Sequence, residues 1–370
     1  MGTTTTNLKF NEITLEGYER VVEVKDESLH ALIAIHDTRL GPALGGIRAY
    51  PYKTFEQGLN DVLRLARGMT YKAALAGTGT GGGKSIIFTQ PSVKKTEEML
   101  LKFAEAVNYF KGQYICAEDV GIHPSDLEVI CRKTAYGVGL LSAKSSGDPS
   151  RYTAFGGFRG IQAACKQVWG TESVAGRTFA IQGLGAVGMR VAHHLFWNGA
   201  RLIVADVNKS LIEKAAKDFG AQVVSPEEIL SVQCDVLVPC AMGAILNPTS
   251  IPHLRCKAVA GLANNQLLSD QDGEELFKKG ILYAPDYVIN AGGLIAVSVE
   301  IEPEGFDPKT ARLYMDRIYD RLTAIFKMSE EKKKSTHLIA NELAEHNLEQ
   351  GVGRRTLPPV FHSMALYQTL

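Results

Sequence analysis

The chain has 370 residues, 45% hydrophobic and 22% charged, the proportions of an ordinary globular protein with room for two domains at about 150 residues each. Its 40 basic residues balance 40 acidic ones, which excludes a field favouring nucleic acid or a membrane surface and leaves a small, nearly neutral partner as the better fit. No stretch reaches the ~18 uncharged apolar residues of a spanning helix, no signal peptide precedes the polar start, and the six cysteines show neither CxxC spacing nor the density of a secreted framework; a cytoplasmic chain with reduced thiols and no metal site is expected. Met1–Thr6 matches the loose N-myristoylation pattern, a match this short being read as chance.

In chain order, strands are expected at Val21–Val24 and Ala31–His36, then a helix over Phe55–Ala66, where Leu59, Val62, Leu63 and Ala66 recur at the three-to-four spacing of one buried face. Two lysines follow in apolar, glycine-rich surroundings: Lys72, ending Met69-Thr70-Tyr71-Lys72, and Lys84 in the run GTGTGGGKS at 77–85. That run looks like a phosphate-gripping loop, but the position five before Gly83 is Thr78, and Ser85–Thr89 reads as a strand where such a loop opens a helix. Glycines beside Lys84 instead let backbone and a small substrate approach closely. A second helix is expected over Glu97–Phe110. Tyr114–Gly121 then reads as a strand running into an acidic pair, of which only one member, Glu118 or Asp119, can face a given site; spacing leaves open which.

Ser145–Ser150 is a turn-rich break, read as a domain boundary that separates residues 1–147 from 148–334, with 335–370 returning to pack on the first domain. Beyond the break, strands alternate with helices, the signature of a parallel sheet. Arg177–Gln182 is a buried-strand pattern, followed by Gly183-Leu184-Gly185-Ala186-Val187-Gly188, a helix, a second strand at Arg201–Ala205, and Asp206. In this context the glycines have separate tasks: Gly183 makes the tight turn, Gly185 admits a pyrophosphate, and Gly188 lets helix and sheet pack closely. The helix beginning near Ala186 turns its free amides and positive dipole end toward the phosphates. Asp206 is placed to accept from ribose hydroxyls and to repel a 2′-phosphate, which favours NAD over NADP.

Seven ordered motifs resemble the amino acid dehydrogenases of the glutamate, leucine, phenylalanine and valine group over nearly the whole chain. They are Leu40–Gly46, Met69–Lys72, Gly81–Lys84, Ala117–Gly121, the dinucleotide fingerprint, Ala263–Gln266 and Ala284–Gly293. Within the family the motifs are most similar to the leucine-specific members, although the cofactor loop and the triple glycine before Lys84 look closer to the phenylalanine-specific ones. The resemblance implies two α/β domains, a mixed-sheet catalytic domain and a Rossmann-type doubly wound NAD-binding domain, with the active site in the cleft between them. It also implies a homo-oligomer and a reversible reaction of an L-amino acid with NAD+ to give the 2-oxo acid, ammonia and NADH. Carried over by position, Lys84 activates water, Asp119 shuttles protons to and from the amino group, Lys72 holds the substrate carboxylate, and Gly45 and Gly46 also bind substrate. Thr153, Asn264 and Asn265 position nicotinamide and substrate, and the substrate side chain meets Leu40, Ala117, Leu294 and Val297.

The chemistry is coherent without the family. Hydride leaves an α-carbon only when the amine is neutral, so a proton acceptor such as Asp119 is needed beside it. The resulting iminium needs a nucleophilic water, and a desolvated lysine near a second ammonium, here Lys72, becomes a base. The substrate class, by contrast, rests on the resemblance: the four wall positions it implies are all apolar, so a glutamate side chain would bury an unpaired charge, and leucine, valine and isoleucine are expected ahead of phenylalanine. A phenylalanine-specific enzyme is the alternative within the family; a non-catalytic NAD-binding regulator and a phosphotransferase are the alternatives from other classes.

Overall fold

The computed structural model describes residues 8–90 and 95–362; the acylation pattern at Met1–Thr6 lies outside them. The described chain forms two compact units, one from residues up to Asp148, Ala296–Pro308 and the residues from Asn347 onward, the other from Pro149–Ile295 and Lys309–His346.

The first unit is built on strands β1 (Lys9–Glu12), β2 (Arg20–Lys25), β3 (His30–Asp37), β4 (Ala43–Tyr50), β5 (Gly81–Phe88) and β6 (Tyr114–Glu118), in the order β1-β2-β3-β5-β4-β6. The first four in that order pair antiparallel, while β4 runs parallel to both β5 and β6, so the sheet is mixed. Period-two alternation divides β3 between two cores. Leu32 and Ala34 pack with Val62 and Ala66 of α1 (Phe55–Ala76), whereas Ile33 and Ile35 pack with Phe103 and Val107 of α2 (Glu97–Tyr109) and Ile130 of α3 (Pro124–Cys131).

Two sequence expectations change here. Helix α1 runs ten residues past Ala66, because Thr70, Tyr71 and Ala73–Ala76 continue its buried face, and it stops at Gly77 in the left-handed conformation at φ 63°. Lys72 therefore sits on a helix. The strand expected from Ser85 begins earlier, at Gly81, so the glycine run is the start of β5. Its glycines serve packing: a Cβ on Gly81 would lie 2.1 Å from Asp37 O, one on Gly82 2.1 Å from Thr70 N, and one on Gly83 2.9 Å from the Tyr114 ring. Any larger residue would push α1 and the flanking chain off the sheet.

The second unit is a six-stranded, all-parallel sheet of β7 (Thr178–Gln182), β8 (Arg201–Ala205), β9 (Gln222–Val223), β10 (Val236–Pro239), β11 (Ala258–Val259) and β12 (Leu282–Tyr283). The order β12-β11-β10-β7-β8-β9 reverses at β7, the doubly wound topology whose switch point is the usual dinucleotide crevice. Its helices are α4 (Ser150–Trp169), α5 (Ala186–Trp197), α6 (Lys209–Phe219), α7 (Asp270–Lys278), α8 (Asp286–Ile289), the start of α9 (Gly292–Val299), which belongs to the first unit from Ala296 on, and α10 (Pro308–Lys332). The last helix, α11 (Thr336–Gln350), starts in this unit, where Thr336 Oγ1 donates to Tyr283 O at 2.6 Å. The chain rejoins the first unit at Asn347, whose side chain donates to Ala74 O at 3.1 Å, and not near residue 335 as the sequence suggests. Among the described residues no helix is long and apolar enough to cross a membrane.

Candidate active site

In the first unit β5, β4 and β6 lie side by side, which brings residues distant in sequence to one place. Lys84 Nζ on β5 lies 2.7 Å from Oδ2 of Asp119, the residue just after β6. The ambiguity of the acidic pair is thereby resolved: Asp119 faces the lysine, and Glu118 does not share this contact. Gly46 lies on the strand between them, paired with Ala117, and its missing side chain is required. A Cβ there would sit 2.7 Å from Asp119 Cβ and 3.0 Å from Lys84 Nζ. On Gly45 a Cβ would lie 1.8 Å from Gly83 O, so the two strands approach only because it is glycine.

Electrostatics follow from burial. The Lys84 side chain is 6% exposed, and loss of water pushes its ammonium below the ordinary lysine value; the neighbouring Asp119 carboxylate opposes this and the Arg48 guanidinium adds to it. Burial pushes Asp119 up, but Lys84 and Arg48 outweigh it and hold the carboxyl below the usual aspartate value. Arg48 is thus a second cation acting on Lys84. Lys72 itself is half-buried on α1, the helix whose Thr70 packs on Gly82 of the lysine-bearing strand. Leu40, Ala117 and Val297 are buried in the first unit and Leu294 in the second, with Leu294 and Val297 three residues apart on α9.

Arg48, Asp61 and Tyr52 were not singled out from the sequence. Arg48 Nε donates to Asp119 Oδ2 at 3.0 Å, its Nη1 donates to Asp61 Oδ2 at 2.9 Å, and the Tyr52 hydroxyl donates to that same Asp61 oxygen at 2.5 Å. A signal was present: Arg48 is the one charged residue of the strand ALGGIRAY.

The second unit holds the glycine fingerprint at the switch point. Gly183 has φ +92°, and a Cβ on it would lie 2.6 Å from Ala241 Cβ; a Cβ on Gly188 would lie 2.0 Å from Gly183 O. Around Gly185, by contrast, a Cβ would meet nothing within 4 Å, and the residue is exposed. One glycine makes the turn, one lets helix and strand pack, and the middle one leaves open space for a ligand. Helix α5 starts at Ala186 with no side-chain cap, so its first amides remain for an anion. Leu184 is buried and Val187 half-buried in this turn. Asp206, at the end of β8, accepts from the amides of Leu184 at 2.5 Å and Asn208 at 2.7 Å, fixing the glycine turn to the next loop. These features fit the pyrophosphate of a dinucleotide.

Thr153 on α4 donates to Pro149 O at 3.1 Å, and its hydroxyl lies 2.9 Å from where a Cβ on Gly293 would be. Asn264 Oδ1 accepts from Asn290 Nδ2 at 2.7 Å. Asn265 is left-handed at φ +52°, and its carbonyl accepts from Ala244 N at 2.6 Å. The structure thus assembles two groupings, Lys84, Asp119, Gly45 and Gly46 in one unit and the fingerprint with Asp206 in the other.

Comparison with known proteins decides the family. Residues 18–136 match the family model described as Glu/Leu/Phe/Val dehydrogenase, dimerisation domain, and residues 204–351 match Glutamate/Leucine/Phenylalanine/Valine dehydrogenase. Leucine dehydrogenase of Bacillus subtilis (strain 168) is 45% identical over 336 residues, 90% of this chain and 92% of its own. The chain belongs to the Glu/Leu/Phe/Val dehydrogenase family. It is an oxidoreductase, an amino acid dehydrogenase with the family's two-domain α/β fold. Other members are about as similar. L-tryptophan dehydrogenase of Nostoc punctiforme (strain ATCC 29133 / PCC 73102) is 43% identical over 344 residues, 92% of this chain and 96% of its own. Phenylalanine dehydrogenase of Caldalkalibacillus thermarum (strain TA2.A1) is 43% identical over 343 residues, 90% and 92% of the two chains. The crystal structure of the Nostoc punctiforme enzyme superposes with a TM-score of 0.80 at 42% identity, covering 90% of this chain and 96% of that one.

Proposed function

We propose that this dehydrogenase catalyses the reversible, NAD-dependent oxidative deamination of branched-chain aliphatic L-amino acids, with Lys84 and Asp119 as its catalytic residues. The observation that carries the reading is the buried pair itself: a lysine whose basicity is lowered by burial, 2.7 Å from an aspartate kept ionised by two cations. Asp119 accepts a proton from the substrate ammonium, leaving the neutral amine whose lone pair can replace the departing hydride. NAD, when bound, accepts that hydride from the α-carbon. Water then adds to the iminium carbon as Lys84 takes its proton. Asp119 returns a proton to nitrogen, and ammonia leaves as the hydroxyl oxygen of the adduct releases its proton to solvent and becomes the keto group, giving in sum one 2-oxo acid, one ammonium, one NADH and one proton per amino acid, NAD+ and water consumed. Lys72 holds the substrate carboxylate as a compact cation.

Asp206, the residue after β8, supplies a carboxylate that would accept from ribose hydroxyls and repel a 2′-phosphate, which favours NAD over NADP. Thr153, Asn264 and Asn265 orient nicotinamide and substrate. The dimerisation domain named in the matched family model supports a homo-oligomer.

The substrate side chain is assigned to Leu40, Ala117, Leu294 and Val297, all apolar, so a second carboxylate would meet no charged partner among these four. Phenylalanine is the second reading, favoured by the 43% identity to a phenylalanine dehydrogenase. The bulk of Leu294 argues against an aromatic ring. In a kinetic panel, kcat/KM for L-leucine, L-valine and L-isoleucine should agree within roughly tenfold, since a buried methylene contributes only ~0.8 kcal/mol, and should exceed that for L-phenylalanine. Leu294→Gly should raise the phenylalanine-to-leucine ratio. A wild-type preference for phenylalanine overturns the aliphatic assignment.

A further inference from the structure

Arg48 reaches two carboxylates at once. Its Nε donates to the Asp119 oxygen that Lys84 also contacts, and its Nη1 donates to Asp61, on which the Tyr52 hydroxyl converges. The Arg48 side chain is 20% exposed and that of Asp61 29%, so the network is only partly wet. An arrangement of this kind is weak as a stability device, because desolvating the charges costs about what their attraction returns. Its distinguishing property is geometric: a planar guanidinium with fixed donor directions locks the plane of whatever carboxylate it bridges.

We infer that Arg48 is a positioning residue for Asp119, and that Asp61, fixed by Tyr52, holds Arg48 in register and balances its charge. The inference rests on the deamination reading, in which Asp119 moves the amine proton. Asp119 is contacted by Lys84 from β5 and Arg48 from β4 and accepts from the Val120 amide, while Glu118 and Tyr114 of the preceding strand β6 feel its charge; Asp61 on α1 acts through Arg48. With Arg48 removed, Asp119 loses a stabilising cation and Lys84 a repelling one, so both titrate at higher pH. With Asp61 neutralised, Arg48 acts unopposed and both titrate at lower pH. The two substitutions therefore have opposite signs, although each probes the same small network.

The test is the pH profile of kcat/KM for L-leucine in wild type, Arg48→Gln, Arg48→Lys and Asp61→Asn. Arg48→Gln should move the midpoints up by roughly one pH unit, lower kcat by about 10- to 100-fold through misplacement of the base, and leave KM little changed. Arg48→Lys should restore the wild-type midpoints while recovering only part of kcat, having the charge without the fork. Asp61→Asn should move the midpoints down. Should Arg48→Gln fail to fold, Asp61→Asn and Arg48→Lys carry the test. Midpoints that coincide with wild type in these variants, or that move the same way in Arg48→Gln and Asp61→Asn, overturn the positioning role while leaving deamination intact. A wild-type protein that reduces no dinucleotide with any L-amino acid overturns the deamination reading and this inference with it.

Discussion

Lys84→Ala is expected to lower kcat for L-leucine by ~10²–10⁴, the usual loss on removing a positioned acid–base group, while NADH binding is retained. Retention follows from placement, since Lys84 lies in the first unit and the glycine fingerprint in the second. Removing one partner of a buried ion pair is ordinarily destabilising, because the other charge is left without compensation. Here Asp119 keeps its 3.0 Å bond from Arg48, so the fold should survive and the loss should be kinetic. Turnover and NADH titration on the same preparation check both halves. Near wild-type turnover in Lys84→Ala would mean that another group activates water.

Gly46→Ala should be nearly as damaging with a single added methyl. The new carbon would lie 2.7 Å from Asp119 Cβ, 2.9 Å from Glu118 O and 3.0 Å from Lys84 Nζ. Two of those neighbours are a Cβ and a backbone carbonyl, which cannot swing aside like the end of a flexible side chain, so the strand after Ala117 must shift and carry Asp119 with it. Misplacing a reacting group by about 1 Å costs on the order of 10²-fold. We expect that loss in kcat/KM together with a lowered melting temperature. An unchanged rate would show that the Lys84–Asp119 geometry is not critical.

What the sequence could reveal depended on whether each residue's reason was local. The fingerprint was legible because each of its glycines answers to the turn that contains it: Gly183 to a positive φ, Gly188 to the Gly183 carbonyl, Gly185 to open space. The strand–helix alternation after residue 150 was legible for the same reason. The start of β5 at Gly81 was not legible because glycine carries no strand preference; neighbours on α1, β3 and β6 hold Gly81–Gly83 in a sheet that they could not join with side chains. The choice between Glu118 and Asp119 depends on where β6 ends beside Lys84, which the residue types alone do not encode. Arg48 was overlooked because its partners, Asp61 and Asp119, lie 13 and 71 residues away and meet it only when β4, α1 and β6 come together. The extension of α1 past Ala66 carries Lys72 onto a helix; the expectation had stopped where the first clear stripe of large apolar residues ends.

The most direct test of deamination by this protein is the stoichiometry of its reaction. Purified protein is supplied with L-leucine and either NAD or NADP, and reduced dinucleotide, ammonia and 2-oxo acid are quantified in the same samples over time. The account predicts equal amounts of the three products, formed faster with NAD than with NADP. Absence of reduction, reduction without matching ammonia, or faster reaction with NADP would contradict it.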